Sequence, residues 1–375
     1  MKEAENMGLR KFGIKEETIY GAPAEGKPAY YIRANKLSAG PGSEPVTLTN
    51  GGRGIHAYRA GYMNPQASVE STMDNESIGS FFYALLGNYG FTENKSITLK
   101  NNSATTTGTM NIHEFFGGEN TKLPSFTGSM TMDFAEKRLF GLLCESLKIE
   151  AKDDLATLST EWVYKTEDST VINENSQEYP EKENTVPLIG YDFELQFGSN
   201  VPSSVISEFS LEIKNNLNTD GTRGLGSRMP QKRASAQARE VDLSLTTTMS
   251  LSNYELLVAA EYGQTPSTTT PAVGKKYTPS ACKLSTTPLT IIIRTCEDNY
   301  AKFIQIHFPK CIITCDPIET SESDEMELEV TLIPATTGTV DLETNGNAQY
   351  TDMQVVIGNN EDAYGQTNIA APAGG

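Results

Sequence analysis

No run of about 18 apolar residues occurs anywhere in the chain, which excludes an apolar helix long enough to span a bilayer. The opening MKEAENMGLRKFG has no apolar core of the kind a secretion signal carries, so folding in the cytosol and no membrane partner are expected. Positive charge is in deficit: 30 Lys and Arg face 48 Asp and Glu, a formal net charge of −18. Holding nucleic acid by neutralising phosphates needs the opposite balance, and an acidic surface repels DNA instead. Histidine numbers only three, His56, His113 and His307, with no H-x-x-x-H or C-x-x-C spacing beside any of them, which argues against a metal site. The five cysteines, Cys144, Cys282, Cys296, Cys311 and Cys315, are odd in number and scattered, which fits reduced buried thiols better than a disulfide framework. The fragment GTRGLGSR lacks the Lys-Ser/Thr of a phosphate loop and the third glycine of a dinucleotide fingerprint, and no G-x-S-x-G elbow occurs. Catalytic, metal-binding and cofactor-binding residues are accordingly expected to be none, and the chain does not read as an enzyme.

What the sequence does have is one strand-and-helix unit used twice. In Arg239 to Gly263, Val241, Leu243 and Leu245 alternate with Asp242, Ser244 and Thr246, giving a half-buried strand. Ser252 and Glu255 then stand at capping-box spacing before the stripe Tyr254, Leu257 and Val258, and Gly263 ends the run. Upstream, Ala67, Val69, Ser71 and Met73 share a strand face. Ile78, Phe81, Phe82, Leu85 and Leu86 follow at helical spacing, with Asn75 or Ser77 as cap and Gly87 or Gly90 as stop. Matched features (Arg53 with Arg223, Val69 with Val241, Gly90 with Gly263) keep an offset near 170 residues, as duplication produces.

Taken in order, residues 1–28 read as a polar N-terminal arm leaving the body. A first β domain over 29–164 opens on Tyr30 to Asn35 and passes through a Thr- and Asn-rich link, Ser96 to Thr109. It closes on alternating segments around Met130, Leu147 and Trp162. Residues 165–187 read as an acidic linker or exposed excursion. The second β domain, 188–334, opens on Phe209, Leu211 and Ile213 and ends in four strands, Thr290 to Arg294, Phe303 to Phe308, Cys311 to Cys315 and Met326 to Ile333. From Cys311 to Gly375 there are twelve acidic residues and no Lys or Arg, so 335–375 reads as a solvated acidic tail whose removal after Ile333 spares the fold.

One segment departs from the acidic average. Between Arg223 and Arg239 stand five basic residues (Arg223, Arg228, Lys232, Arg233, Arg239) and no acid, and the earlier loop carries Arg53, His56 and Arg59 at the matching place. A mobile solvated loop is one reading. The other is a basic finger from each repeat reaching an acidic surface on another copy, in which case reversing Lys232, Arg233 and Arg239 to Glu blocks assembly and leaves the fold intact.

With SLEIKNNL (Ser210 to Leu217), GLGSR (Gly224 to Arg228) and REVDLSLTTTM leading into SNYELLVAAEYG, the chain resembles the tail tube proteins of long-tailed bacteriophages. ETIYGAP, SVESTMDNESIGSFFYALLG and LPSFTGSMTM resemble the first half of that pattern, so the likeness covers roughly residues 10 to 335. It departs in Ala-Arg-Glu where Gly-Arg-Glu is common, in its longer acidic linker and in its tail. The resemblance implies a mainly β fold of two tandem β-sandwich or partial-barrel units, each with one short flanking α-helix. It implies a structural virion protein with no cofactor, assembled in the host cytoplasm into stacked rings around a passage for viral DNA that is not specifically bound. Partners are then other copies, as homotrimeric pseudo-hexameric rings or homohexamers, together with tape measure, terminator and tip proteins. The basic residues Arg53, Arg59, Arg223, Arg228, Lys232, Arg233 and Arg239 become inter-ring contacts. A competing reading is a β-sandwich surface adhesin or carbohydrate-binding module, for which the secretion signal and clustered exposed aromatics are missing.

Overall fold

A computed structural model describes residues 10–43, 45–48, 57–101, 104–117, 122–132, 135–152, 155–171, 179–181, 185–197, 206–248, 262, 274, 276, 286–294, 302–315, 327–334, 338–341, 348–359 and 361–364. The first half of the chain builds β1 (Lys11–Glu16), β2 (Ile32–Arg33), β3 (Lys36–Gly40), β4 (Pro45–Leu48), β5 (Ala57–Ala60), β6 (Gln66–Thr72) and α1 (Ile78–Leu86). It continues with β7 (Asn88–Asn101), β8 (Ala104–Phe116), β9 (Phe126–Met132), β10 (Ala135–Ala151), β11 (Thr157–Val163) and β12 (Thr166–Val171). The second half adds β13 (Phe193–Phe197), β14 (Ile206–Lys214), β15 (Glu240–Thr248), β16 (Thr287–Arg294), β17 (Phe303–Cys315), β18 (Glu327–Pro334), β19 (Gly338–Asp341), β20 (Ala348–Thr351) and β21 (Gln354–Asn359).

The fold is mainly β and antiparallel, and its ladders branch without closing into a barrel. One run of eight strands, β3–β6–β11–β10–β14–β15–β18–β17, crosses from the first half into the second. Around the β10–β14 pairing its pattern has period two because one face is packed and the other is open. Leu147 and Ile149 on β10 are fully buried, as are Leu211 and Ile213 on β14, while Lys148, Glu150, Glu208 and Asp242 stay exposed or partly so. A second run, β13–β16–β17–β21–β8–β7, shares β17 with the first.

Helix α1 plugs the first half. All nine of its residues are buried, and Phe81 meets Phe12 and Trp162 with ring centroids 6.3 and 6.1 Å away. A helix this short is held by such packing rather than by propensity. Its start is fixed by Asp74, whose carboxylate accepts from the backbone N–H groups of Glu76 (2.9 Å) and Ser77 (2.7 Å); the Ser77 side chain makes no cap bond. Gly87 ends it in the left-handed conformation, φ 82°, with its N–H on the Tyr83 carbonyl. The matching helix expected after Ser252 lies, but for Tyr262, outside the described residues.

Four expectations are corrected. Lys11–Glu16, expected in an arm that leaves the body, is a strand laddered to β9, with Phe12 only 1% exposed. The Thr- and Asn-rich link after Ser96 is a long hairpin, β7 with β8. Within the presumed linker, Thr166–Val171 ladders on β10, and Glu181 takes Lys11 at 2.8 Å and also pairs with Arg33. The segment expected as a solvated tail contains β21, buried along its whole length between β8 and β17.

Candidate assembly surfaces

Two surfaces stand out: a charged sheet face that runs across both halves, and a paired loop rich in exposed cations and apolar groups.

The sheet face is built row by row. Cross-strand register sets Lys36, Glu70, Ser159, Lys148, Glu212 and Asp242 in one line, each directly opposite the next. The next row along the strands reads Ser38, Ser68, Glu161, Ser146, Lys214 and Glu240, with Ser146 buried at the joint. Acids outnumber bases on these rows, and two of the three bases are engaged: Lys214 lies 3.0 Å from Glu212, and Lys148 lies 2.7 Å from Glu150. The Glu212 carboxylate beside it raises the Lys214 ammonium above its ordinary value. A polyanion approaching this face meets carboxylates with their local counter-ions already in place.

The face is continuous because β10 pairs directly with β14, Ser146↔Lys214 through Ala151↔Phe209. Beneath this joint Asn215 is buried, and its amide donates to the carbonyls of Leu85 and Cys144, both at 3.0 Å. Leu85 lies in the last turn of α1, where carbonyls have no partner inside the helix. Close by, the Leu217 N–H donates to the Glu145 carboxylate at 3.0 Å; burial raises the Glu145 carboxyl, and that bond pulls it back down.

The second surface is formed by the β4–β5 hairpin and the loop that joins β14 to β15. Arg228 holds them together, donating from Nε to the Gly61 carbonyl (3.0 Å) and from Nη2 to Ser43 Oγ (2.9 Å), while the Met63 N–H donates to the Arg228 carbonyl at 2.8 Å. Arg223 lies over the Tyr62 ring at 5.9 Å. Leu225 is 95% exposed and Tyr58 78%, an unusual display of apolar surface beside exposed Arg59, Arg223 and Lys232.

The other basic residues from the sequence are placed differently. Arg233 turns into the body over Tyr20 at 5.8 Å, where burial lowers its pKa and pushes Tyr20 up to about 12. Arg239 pairs with Asp352 at 2.8 Å and fills the space beside Gly117, so it ties the C-terminal segment to β15. Arg53 lies outside the described residues. Sequence reasoning missed the tie between Arg239 and Asp352 because its partner sits 113 residues away in a segment read as a tail.

Among the described residues no group of three or more His, Cys, Asp or Glu is placed to hold a metal ion. Cys144 and Cys311 are buried free thiols, and burial raises Cys311 to about 12. No helix of the described residues is long and apolar enough to cross a membrane.

A search of curated proteins finds no match. The family model described as phage tail tube protein matches residues 9–288, well over half of the chain, from β1 into β16. The chain therefore belongs to the phage tail tube protein family, a structural component of the virion tail.

Proposed function

We propose that three copies of this chain form a ring with six similar sheet modules, and that rings stack into the tube through which viral DNA passes. The observation that carries this reading is the β10–β14 ladder. Inside one chain it already joins two halves edge to edge into one wall, and further copies extend that wall until it closes. A chain holding two modules reaches a six-module ring with three copies, where a single-module chain needs six.

The acidic sheet face turns inward in this reading. It lets DNA slide because few unpaired cations grip phosphates. The paired loop turns along the tube axis, where Arg59, Arg223, Arg228 and Lys232 together with Leu225 and Tyr58 meet the adjacent ring. Arg233 and Arg239, expected in the same role, act inside the chain instead, and Arg53 is assigned to this contact by its matching position alone. No step of catalysis belongs to this role. Assembly takes place in the host cytoplasm, with tape measure, terminator and tip proteins as partners.

Negative-stain microscopy of the purified protein tests the reading. Rings or tubes are expected on concentration; a monodisperse monomer at high concentration contradicts it.

A further inference from the structure

We infer that the seam between copies repeats the β10–β14 joint with different strands: the open edge of β3 in one copy pairs antiparallel with the open edge of β17, Ile312–Cys315, in the next. This rests on the ring reading above and names the edges that make it.

The two halves of the chain correspond strand for strand. In the first half the strand path runs β1–β9–β10–β11–β6–β3. In the second half it runs β13–β16–β17–β18–β15–β14, with the chain order of the members preserved. Even an irregularity recurs. Leu139 to Leu142 on β10 faces the shorter step from Gly128 to Phe126 on β9, and Phe308 to Cys311 on β17 faces the shorter step from Leu289 to Thr287 on β16. Strand β17 is thus the counterpart of β10, and β3 the counterpart of β14.

The joint inside the chain then shows what each free edge is shaped for. On β10, the edge that carries β9 along its first part carries β14 along its second. On β17, the corresponding edge carries β16 as far as Cys311, and among the described residues no ladder follows over Ile312–Cys315. At the other end of the sheet, β3 is laddered to β6 alone among the described residues. Lys137 donates to the Ala39 carbonyl at 3.1 Å, a contact that a side-chain ammonium can give up. Rows of unpaired backbone donors and acceptors are templates for another strand.

Face matching supports the same pairing. Lys36 and Ser38 are exposed while Leu37 and Ala39 are half-buried, the alternation by which β14 turns Glu212 outward and Leu211 and Ile213 inward. Joining β3 to β17 therefore continues the acidic face rather than inverting it.

Thr314→Cys combined in turn with Lys36→Cys, Ser38→Cys and Gly40→Cys, oxidised in assembled rings and run on non-reducing denaturing gels, tests the seam. The control is Lys148→Cys with Glu212→Cys, opposite each other across β10 and β14, which closes inside one chain whether or not it assembles. At least one of the three test pairs is expected to give covalent dimers and closed trimers beyond the background of the parent chain. Loss of assembly at an unchanged melting temperature in all three also counts for the seam, since these substitutions lie on the proposed edges alone. Rings that assemble as the parent does, yield no cross-linked product from any test pair and close the control overturn it, while leaving the ring reading intact. A parent chain that forms no rings overturns the ring reading instead.

Discussion

Asn215 holds the joint between the halves with one side-chain amide. Replacing it with Ala leaves the carbonyls of Leu85 and Cys144 buried without that donor, so Asn215→Ala is expected to cost about 2 kcal/mol, read from the urea midpoint at unchanged slope. A loss within error of zero shows that the two carbonyls find water or another donor. His307 supplies a second test at this scale. Burial lowers its pKa below the ordinary 6.5, and Thr290 Oγ1 lies 2.9 Å from its Nδ1. The folded state therefore takes up a proton only at lower pH than the unfolded chain, whose imidazole does so below pH 6.5. Its contribution is complete above that value and declines as pH falls through it. Wild type should lose more stability than His307→Gln on going from about pH 7 to about pH 5; parallel curves refute the assignment. Neither role is legible in the sequence, because Asn215 and His307 act through partners far away in the chain or across a ladder.

At the scale of elements, β21 changes the view of the C-terminus. Its six residues are buried on both faces, Asn359 donates to the Asn75 carbonyl at 2.9 Å, and Tyr364 donates to the Glu76 carbonyl at 2.7 Å beside Gly79 of α1. Truncation after Ile333, expected from sequence to be harmless, is now expected to give insoluble protein, since it opens β8 and β17 and uncovers α1. Soluble truncated protein with the parent melting temperature refutes this. The sequence hid β21 because a strand covered on both faces does not alternate: QVVIGN is a short apolar run in a polar, acidic stretch. The β7–β8 hairpin was hidden for the opposite reason, being so rich in Thr, Asn and Lys that it reads as a link. By contrast β14, β15 and α1 were readable, since one packed face or stripe imposes its period on the residues.

At the scale of the whole molecule, the duplication visible as an offset near 170 residues reappears as a repeated strand path, and the family match covers the first copy of that path and runs into β16 of the second. The loops are the place to separate ring formation from stacking. Arg223→Glu with Lys232→Glu and Leu225→Asp changes exposed groups only, so the variant is expected to keep its melting temperature and form single rings without tubes. Normal tubes from it remove the inter-ring role of the paired loop. The most direct measurement of the central claim is the mass of an isolated ring by native mass spectrometry, paired with an end-on image. Two modules in each chain predict three copies and a sixfold-like outline. A ring of six copies, or a stable monomer with no ring, contradicts the account.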